Sequence, residues 1–247
     1  MKLSFVIVEY YSIEDVIACY ASIISCELPN IDIEVVVSSN SDYTLEEQQK
    51  LITKYSQLKW LFNKKNGGFA YAMNRGLKAS VGDVLIIMNP DVRLKQGTDD
   101  MANYLQNQKD VGLIAPMICN KKNEIQDSFR SFITPLRFFK RHFGRLVGLG
   151  KIPPISSSIA VDWVCGAFMM MSRESYKIVG GLDEGYFLYC EDMDLCKRMY
   201  QHGYSVIYYP MAMVEYEGTR SARRSLKYAC IFLKSLFRYW RKFGLYN

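Results

Sequence analysis

The stretch "DVLIIMNPDV", residues 83–92, joins an unbroken apolar run to a turn that carries an acid. Such a run, bounded by polar residues, is typical of a strand that is covered on both faces of a parallel sheet. The turn at Asn89 and Pro90 projects Asp91 from the strand's carboxyl end, the edge at which open parallel sheets bind ligands. A carboxylate placed there can hold a divalent cation that bridges phosphates, although N-P-D alone also fits an ordinary turn.

Runs of the same kind precede this strand at residues 3–8, 33–37 and 59–63. Helical patterns separate the runs, and they predict helices over 13–26, 44–56 and 68–79. Strands that alternate with helices in this way predict an α/β fold, in which a doubly wound, mostly parallel sheet is flanked by helices.

The second half of the chain is less regular. Its patterns predict strands over 112–119, 166–172 and 204–210, and helices over 172–181 and 190–203. Glycine follows each of these two helices, as is common at helix ends. No linker, repeat or low-complexity tract separates the halves, so we expect them to share one core.

Composition excludes several classes of protein. Of the 247 residues 49% are hydrophobic, which predicts an ordered domain rather than a disordered chain. No apolar stretch reaches the roughly 20 residues of a membrane-spanning helix, and the first apolar run is too short for a secretory signal. Seven scattered cysteines without a C-x-x-C pair predict reduced thiols in a cytosolic compartment, and two histidines leave no histidine-based metal cluster.

The net charge of +6 is concentrated in two segments that contain no acid. Residues 128–161 carry six bases, and residues 218–247 carry eight. The second segment predicts an amphipathic helix over 222–243. Its apolar face comprises Leu226, Cys230, Leu233, Phe237 and Trp240, and its basic face comprises Arg223, Lys227, Lys234, Arg238 and Arg241.

This helix fits two interpretations, a helix lying in a membrane interface or a terminal helix docked on the core with a solvated basic face. The acid-free segment 136–151 favours the first, because one anionic membrane surface accounts for both cationic, apolar segments. Nucleic acid is not expected as a partner, since no recognised binding motif accompanies the charge.

The stretch "NGGFAYAMNRG", residues 66–76, is a candidate anion site. Gly67 and Gly68 open a helix whose free N–H groups can face a phosphate, while Asn66 and Asn74 offer amide hydrogen bonds. It is neither a G-x-G-x-x-G nor a Walker A loop, and an ordinary helix start has the same composition.

Three acids crowd the start of the predicted helix in "YFLYCEDMDLCKRM", residues 186–199. Glu191, Asp192 and Asp194 are each stabilised there by the helix dipole, which accounts for the charge alone. The aromatic run before them indicates a helix start packed into a pocket wall, where an acid can act as general base toward a substrate hydroxyl.

Four segments in order resemble the family-2 inverting glycosyltransferases of GT-A fold, and within them the rhamnosyltransferases that build bacterial O-antigen. The segments are "KNGGFAYAMNRG", "VLIIMNPDV", "DWVCGAFMMM" and "GGLDEGYFLYCEDMDLCKRMYQHGYSVIYYPMA". The resemblance covers residues 3–221. It implies a GT-A domain over 1–221, followed by the basic amphipathic helix at 222–247.

The resemblance also implies residue functions. Asp192 is implied as the base that deprotonates the acceptor hydroxyl, with Glu191 supporting it, and Asp91 as the ligand of Mg or Mn on the donor diphosphate. Trp163 and Gly166 are implied for acceptor binding. The donor-binding residues implied are Glu9, Tyr11, Ser38, Asn40, Asn66, Gly67, Gly68, Asn74, Asn89 and Asp91.

Three positions depart from the family pattern. The usual T-Y-N after the first strand is here Glu9, Tyr10 and Tyr11, and the usual D-N-A-S is "SSNS" at 38–41, so the acid that pairs with the nucleobase is missing. A metal-binding histidine is replaced by Glu215. Glutamate is a hard oxygen ligand suited to Mg or Mn, so the swap can preserve, weaken or abolish the metal site.

The resemblance therefore implies an enzyme that moves a sugar from a nucleotide-diphosphate donor, with dTDP-rhamnose favoured, to a lipid-linked glycan in O-antigen or other surface polysaccharide synthesis. It implies a peripheral location on the inner face of the bacterial cytoplasmic membrane. The alternative is a catalytically degenerate relative that binds nucleotide or membrane. An NAD-dependent oxidoreductase is disfavoured because the first strand lacks the glycine turn.

Overall fold

The computed structural model describes residues 1–138, 155–218 and 225–245. The strands are β1 (Lys2–Glu9), β2 (Asp32–Ser39), β3 (Lys59–Phe62), β4 (Val84–Met88), β5 (Arg93–Gln96), β6 (Val111–Cys119), β7 (Phe129–Arg130), β8 (Ile159–Ala160), β9 (Trp163–Val164), β10 (Phe168–Ser172) and β11 (Ser205–Glu215). The helices are α1 (Ile13–Ser25), α2 (Leu45–Lys54), α3 (Phe69–Ala79), α4 (Thr98–Asn107), α5 (Arg173–Val179), α6 (Glu191–Gln201) and α7 (Leu226–Phe243).

One sheet runs through the molecule in the order β3-β2-β1-β4-β10-β6-β11-β5, with β8 paired to β11. Strands β1 to β4 are parallel to one another, and β11 is parallel to β6. Strand β10 lies antiparallel between β4 and β6, and β5 is antiparallel to β11. The predicted α/β class with a doubly wound, mostly parallel sheet is confirmed, and the antiparallel pairings in this sheet all involve β10 or β11.

The sheet carries a hydrophobic core on each face, because successive side chains of a strand point to opposite sides. Phe5 and Ile7 of β1 face the core covered by α1 and α4, whereas Val6 faces the core covered by α3, α6 and α7. Leu236 of α7 belongs to the same cluster as Val6. Among the described residues, the two halves of the chain therefore share their cores, as expected.

Five of these elements escaped the sequence patterns, namely α4, β5 and the two-residue strands β7, β8 and β9, and one strand was predicted too short. Strand β5 and helix α4 were not predicted, because β5 has one buried apolar residue and α4 begins after a left-handed Gly97 with acids in its first turn. Strand β11 continues to Glu215 instead of ending at 210. Its register against β6 shifts between Tyr209 and Met213, and the pairing resumes after the shift. That irregularity accommodates Pro210, which lacks a backbone N–H for the ladder.

Helix α7 docks through a different face from the one the sequence pattern indicated. Its buried residues are Ser235, Leu236, Tyr239 and Phe243. Among the residues expected to form the apolar face, Leu226, Leu233 and Phe237 are 88%, 53% and 67% exposed, Cys230 is exposed, and Trp240 is half-buried. The helix is thus attached to the core and still presents an apolar ridge outward.

Some expectations fall on residues that the structure does not describe. These are most of the acid-free segment 136–151, the predicted start of the last helix and the boundary between 221 and 222. Within the described ranges, no helix has both the length and the apolar character that crossing a membrane requires.

Candidate active site

The carboxyl ends of four parallel strands meet along one side of the sheet. Glu9 is in register with Ser39, Ser39 with Phe62, and Ile7 with Met88. The residues that follow these strands therefore lie side by side, as the strand pattern predicted. We call this region the strand-end edge; it comprises Glu9–Tyr11, Ser38–Ser41, Asn63 and Asn89–Asp91.

Glu9 holds the strand-end edge together from inside. It is fully buried, and its carboxylate accepts hydrogen bonds from the hydroxyls of Ser39, Ser41 and Tyr43 and from the backbone N–H of Ser12. An acid with this many donors is satisfied within the protein. The acid is thus engaged by the loops around it, while the ring of Tyr11 is 62% exposed beside it.

Asn63 links the other polar residues of the strand-end edge. Its amide nitrogen donates to Ser38 Oγ at 3.1 Å and to Asn40 Oδ1 at 2.9 Å, and Asn40 Nδ2 donates to the carbonyl of Gly68 at 3.0 Å. The Asn63 Oδ1 atom is buried without a hydrogen-bond partner in the described part of the chain. We did not predict Asn63 for the site, although it follows a strand as the predicted residues do.

The glycine loop contacts the aromatic run before α6. Gly68 has φ +93° and donates its N–H to Asn66 Oδ1 at 3.0 Å, and the N–H of Phe69 donates to the carbonyl of Phe187 at 2.8 Å. These two N–H groups, which we expected to face an anion, are therefore bound within the protein. A Cβ on Gly67 would meet the ring of Tyr71 at 2.5 Å.

Asn74 connects helix α3 to the second half of the chain. Its amide donates to the carbonyl of Leu182 and to Glu184 Oε1, and its Oδ1 accepts from the N–H of Leu182. The side chain is thus engaged by the 182–184 loop, and its proposed contact with a donor stays a prediction.

The N-P-D turn forms as the sequence predicts. The N–H of Val92 donates to the carbonyl of Asn89 at 3.2 Å, and the N–H of Asn89 donates to the carbonyl of Ala167 at 2.9 Å. Asn89 Nδ2 also lies 3.5 Å from the hydroxyl of Tyr216. Asp91 is half-buried, and burial raises the pKa of its carboxyl above the ordinary value.

One short segment connects this turn to the acids at the start of α6. Phe168 of β10 is paired with Met88 of β4, so residues 165–167 run beside Asn89. Within that segment the N–H of Gly166 donates to Asp192 Oδ2 at 2.9 Å. The N-P-D turn and Asp192 are thus both hydrogen-bonded to this three-residue segment.

Asp192 lies in a cavity of about 180 Å³ beside Glu191. We call it the carboxylate cavity; its other lining residues include Arg130, Ile133, Trp163, Cys165, Tyr189 and Phe232. The Oδ1 atom of Asp192 accepts from the N–H of Met193 at 2.8 Å. The indole N–H of Trp163 lies near Asp192 and is buried without a hydrogen-bond partner of good geometry in the described ranges.

The two adjacent acids of the carboxylate cavity have different environments. Burial raises the pKa of both carboxyls, and it raises that of Glu191 to about 8. Asp192 accepts two backbone N–H groups and lies near Arg130, whereas Glu191 Oε2 has no hydrogen-bond partner among the described residues. Near neutral pH we therefore place the proton on Glu191 and the negative charge on Asp192.

The third acid of the cluster is structural. Asp194 is fully buried, and its carboxylate forms ion pairs with Arg198 Nε and Lys242 Nζ, both at 2.6 Å. Arg198 also donates to the carbonyls of Val179 and Gly181. The acidic run thus contains both an acid that lines the carboxylate cavity, Asp192, and an acid that anchors helix α7, Asp194.

Of the two predicted metal ligands, Asp91 belongs to the strand-end edge, and Glu215 is paired with Arg93 of β5, two residues after Asp91. Glu215, at the end of β11, forms an ion pair with Lys95 at 2.6 Å. Within the described ranges, no three His, Cys, Asp or Glu side chains gather as a metal cluster. Mg²⁺ commonly uses one or two carboxylates together with substrate phosphates, so the half-buried Asp91 fits such an ion without a cage of protein ligands.

Two family matches cover most of the chain. Residues 4–179 match the family described as Glycosyl transferase family 2, and residues 152–221 match one described as the N-terminal domain of galactosyltransferase. The first match contains the whole strand-end edge, and the second contains the acids at the start of α6.

Curated relatives include rhamnosyltransferases of two bacteria. Rhamnosyltransferase WbbL of Escherichia coli is 28% identical over 219 residues, which cover 83% of this chain and 81% of the relative. The N-acetylglucosaminyl-diphospho-decaprenol L-rhamnosyltransferase of Mycobacterium tuberculosis is 26% identical over 198 residues. That match covers 71% of this chain and 64% of the relative.

Solved structures show the same fold. GalNAc-T7 with UDP, GalNAc and Mn²⁺ has a TM-score of 0.65 at 14% identity, covering 87% of this chain and 43% of that protein. Mannosyltransferase PcManGT from Pyrobaculum calidifontis, in complex with GDP-Man and Mn²⁺, has a TM-score of 0.60 at 15% identity, covering 98% and 64%. The chain is therefore a glycosyltransferase of GT-A fold that belongs to glycosyl transferase family 2 and resembles rhamnosyltransferases.

Proposed function

We propose that the protein transfers a rhamnosyl group from a nucleotide-diphosphate donor to a hydroxyl of a lipid-linked glycan, with inversion at the anomeric carbon. The observation that carries the proposal is the position of Asp192. It lies in a cavity wall, held by the N–H groups of Gly166 and Met193, and shares the 165–167 segment with the N-P-D turn. Relatives named as rhamnosyltransferases support the choice of sugar.

The catalytic step follows from the charges of the carboxylate cavity. Asp192 accepts the proton of the acceptor hydroxyl while the oxygen forms a bond to C1 of the sugar, and the bond between C1 and the donor phosphate breaks with its electron pair on the diphosphate. A positioned base of this kind typically contributes about 10² to 10⁴ in rate. Protonated Glu191 supports this step, because the pair then carries a single negative charge, on Asp192.

Asp91 is the residue that would hold Mg or Mn on the donor diphosphate. When bound, such an ion neutralises the charge that develops on the leaving group. The Mn²⁺ in both solved structural neighbours supports a divalent cation. Glu215 is paired with Lys95, so we assign it no place in this site.

The strand-end edge is our candidate for nucleotide binding. The exposed ring of Tyr11 offers a flat surface to a nucleobase, and the unpartnered Oδ1 of Asn63 is an acceptor at the same edge. Ser38 and Asn40 accept hydrogen bonds from Asn63, and Ser41, which donates to Glu9, accepts the N–H of Tyr11. We favour dTDP-rhamnose as the donor.

Helix α7 is our candidate for contact with an anionic membrane. Leu226, Leu233 and Phe237 form an exposed apolar ridge beside exposed lysine and arginine side chains. A helix of this kind lies in a membrane interface. A lipid-linked acceptor, as named for the mycobacterial relative, explains why the enzyme would bind the inner face of the bacterial cytoplasmic membrane.

To test the proposal, the protein is incubated with a panel of nucleotide sugars and Mn²⁺. The rise in melting temperature measures donor binding, and release of the nucleoside diphosphate measures turnover. We expect dTDP-rhamnose to give the largest rise, because a ligand that binds only the folded state stabilises it. Product release in the presence of a lipid-linked acceptor confirms an enzyme. A rise in melting temperature without release of the nucleoside diphosphate identifies the degenerate relative. A rise with a different nucleotide sugar alone overturns the choice of donor.

A further inference from the structure

A second cavity lies on the other side of the aromatic run that walls the carboxylate cavity. It is a groove of about 900 Å³ between helix α7 and residues 183–187. We call it the α7 groove. Phe187, Ile231 and Phe237 line it with apolar surface, and Lys234, Arg238, Arg241 and Lys242 line it with positive charge against the single carboxylate of Asp183.

The two cavities share a wall. Tyr189 and Phe232 line the carboxylate cavity and pack edge to face with ring centroids 5.9 Å apart. Phe187 and Ile231, close to them in sequence, line the α7 groove. Between them Ser235 Oγ donates to the carbonyl of Leu188 at 2.8 Å, which fixes the helix against the wall. A ligand bound in one cavity is therefore next to the other.

The four cations of the α7 groove are not equivalent. Arg238 and Lys242 are committed to the fold, since both form ion pairs with Asp183 and Lys242 also pairs with Asp194. Lys234 and Arg241 are exposed and form no ion pair within the described residues. Two unpaired cations beside three apolar side chains match a ligand with an anionic head and a hydrocarbon tail.

We propose that the α7 groove binds the diphosphate and first isoprenoid units of the lipid-linked acceptor, with Lys234 and Arg241 contacting the phosphates and Phe187, Ile231 and Phe237 contacting the lipid. The inference rests on the proposed lipid-linked acceptor. It places the charged linkage of that acceptor beside the cavity in which its sugar reacts. We choose a diphosphate over a carboxylate because two unpaired cations match two phosphates. We choose it over a phospholipid surface because the cations line a groove instead of a flat face.

The experiment is a calorimetric titration of the whole protein with farnesyl diphosphate, in the presence of saturating dTDP and Mn²⁺. We expect binding to the wild type, with weaker binding of farnesol, which lacks the charge, and of inorganic pyrophosphate, which lacks the lipid. The double variant K234E/R241E should lose affinity about tenfold or more, because two charge-assisted contacts become repulsive. F237S should weaken farnesyl diphosphate binding and leave pyrophosphate binding unchanged.

The matched control is Lys227→Glu, an exposed cation on the same helix that does not line the groove. It should retain farnesyl diphosphate binding. Equal losses in both charge variants would mean general electrostatic attraction and would overturn the proposal. So would binding of farnesyl diphosphate only when dTDP is left out, or binding of phosphatidylglycerol vesicles without binding of farnesyl diphosphate. Because this probe carries neither nucleotide nor sugar, the titration reports on the groove even if dTDP-rhamnose is not the donor.

Discussion

The strand-end edge and the carboxylate cavity differ in how their buried polar groups are satisfied. At the strand-end edge the acid Glu9 is satisfied by three hydroxyls and a backbone N–H, and the amides of Asn40 and Asn63 bind each other. In the carboxylate cavity, Glu191 and Asp192 stand side by side and the nearest strong ion pairs belong to Asp194. The comparison teaches that uncharged donors satisfy the buried acid of the strand-end edge, whereas ion pairs with Arg198 and Lys242 satisfy the buried Asp194 beside the carboxylate cavity.

The largest effect that tests this contrast is on catalysis. Asp192→Asn keeps the shape of the side chain and removes the base, so we expect transfer to fall by about 10² to 10⁴ while donor binding persists. Turnover is measured with saturating donor, and donor binding by the rise in melting temperature. Asp32→Asn, an exposed acid at the start of β2, is the control and should keep full activity. Turnover near the wild-type rate in Asp192→Asn would remove this residue from the reaction.

The second effect is on stability. Asp194→Asn leaves Arg198 and Lys242 without their buried counter-charge, and removing one member of a buried ion pair typically costs about 3–5 kcal/mol. Urea unfolding measures the loss. Glu46→Gln breaks the exposed pair with Lys50 on α2 and is the control, with an expected change below about 0.5 kcal/mol. Similar small losses of stability in both variants would show that the ion pairs of Asp194 do not stabilise the fold beside the carboxylate cavity.

These two acids also show what the sequence can and cannot predict about the site. Asp192 and Asp91 could be proposed from the sequence because both follow local patterns, a helix start after aromatics and a turn after an apolar strand. The distinction between Asp192 and Asp194 was not visible, because Lys242 pairs with Asp194 from 48 positions further along the chain. Asn74 is a second example, because its amide donates to the carbonyl of Leu182, which lies 108 positions further along the chain.

The fold follows the same rule. The continuous β-branched runs of β1 and β2 were placed within two residues at each end, because burial on both faces leaves a local signal. The sequence pattern did not show which face of α7 docks on the core, because its apolar residues outnumber what one contact face needs. Only the packing of Leu236 and Tyr239 against the core decides which side turns inward.

A third effect is the dependence of stability on pH. The folded-state pKa of Glu191 is about 8, raised by burial above the unfolded value of about 4.3, so the folded state holds a proton that the unfolded state has lost. Its contribution is complete below about pH 4.3 and disappears as the pH rises through about 8. Relative to Glu191→Gln, the wild-type melting temperature should therefore fall by about 3 °C or more between pH 5.5 and 8.5. A constant difference between the two proteins would contradict the protonation of Glu191.

The smallest effect concerns the contact that joins the two regions. Gly68 has φ +93°, and a Cβ there would lie 2.4 Å from the carbonyl oxygen of Phe187, in the wall between the cavities. Gly203 has φ +81°, and a Cβ there would have no other atom within 4 Å, so Gly203→Ala measures the backbone strain alone. We expect about 1–2 kcal/mol from that strain and a further loss of about 1 kcal/mol or more in Gly68→Ala, measured by urea unfolding. Because Phe187 also accepts the N–H of Phe69, only Gly68→Ala should weaken donor binding as well. If the two alanine variants lose equal stability and both keep donor affinity, the strand-end edge and the aromatic wall are independent, and the glycine serves the turn only.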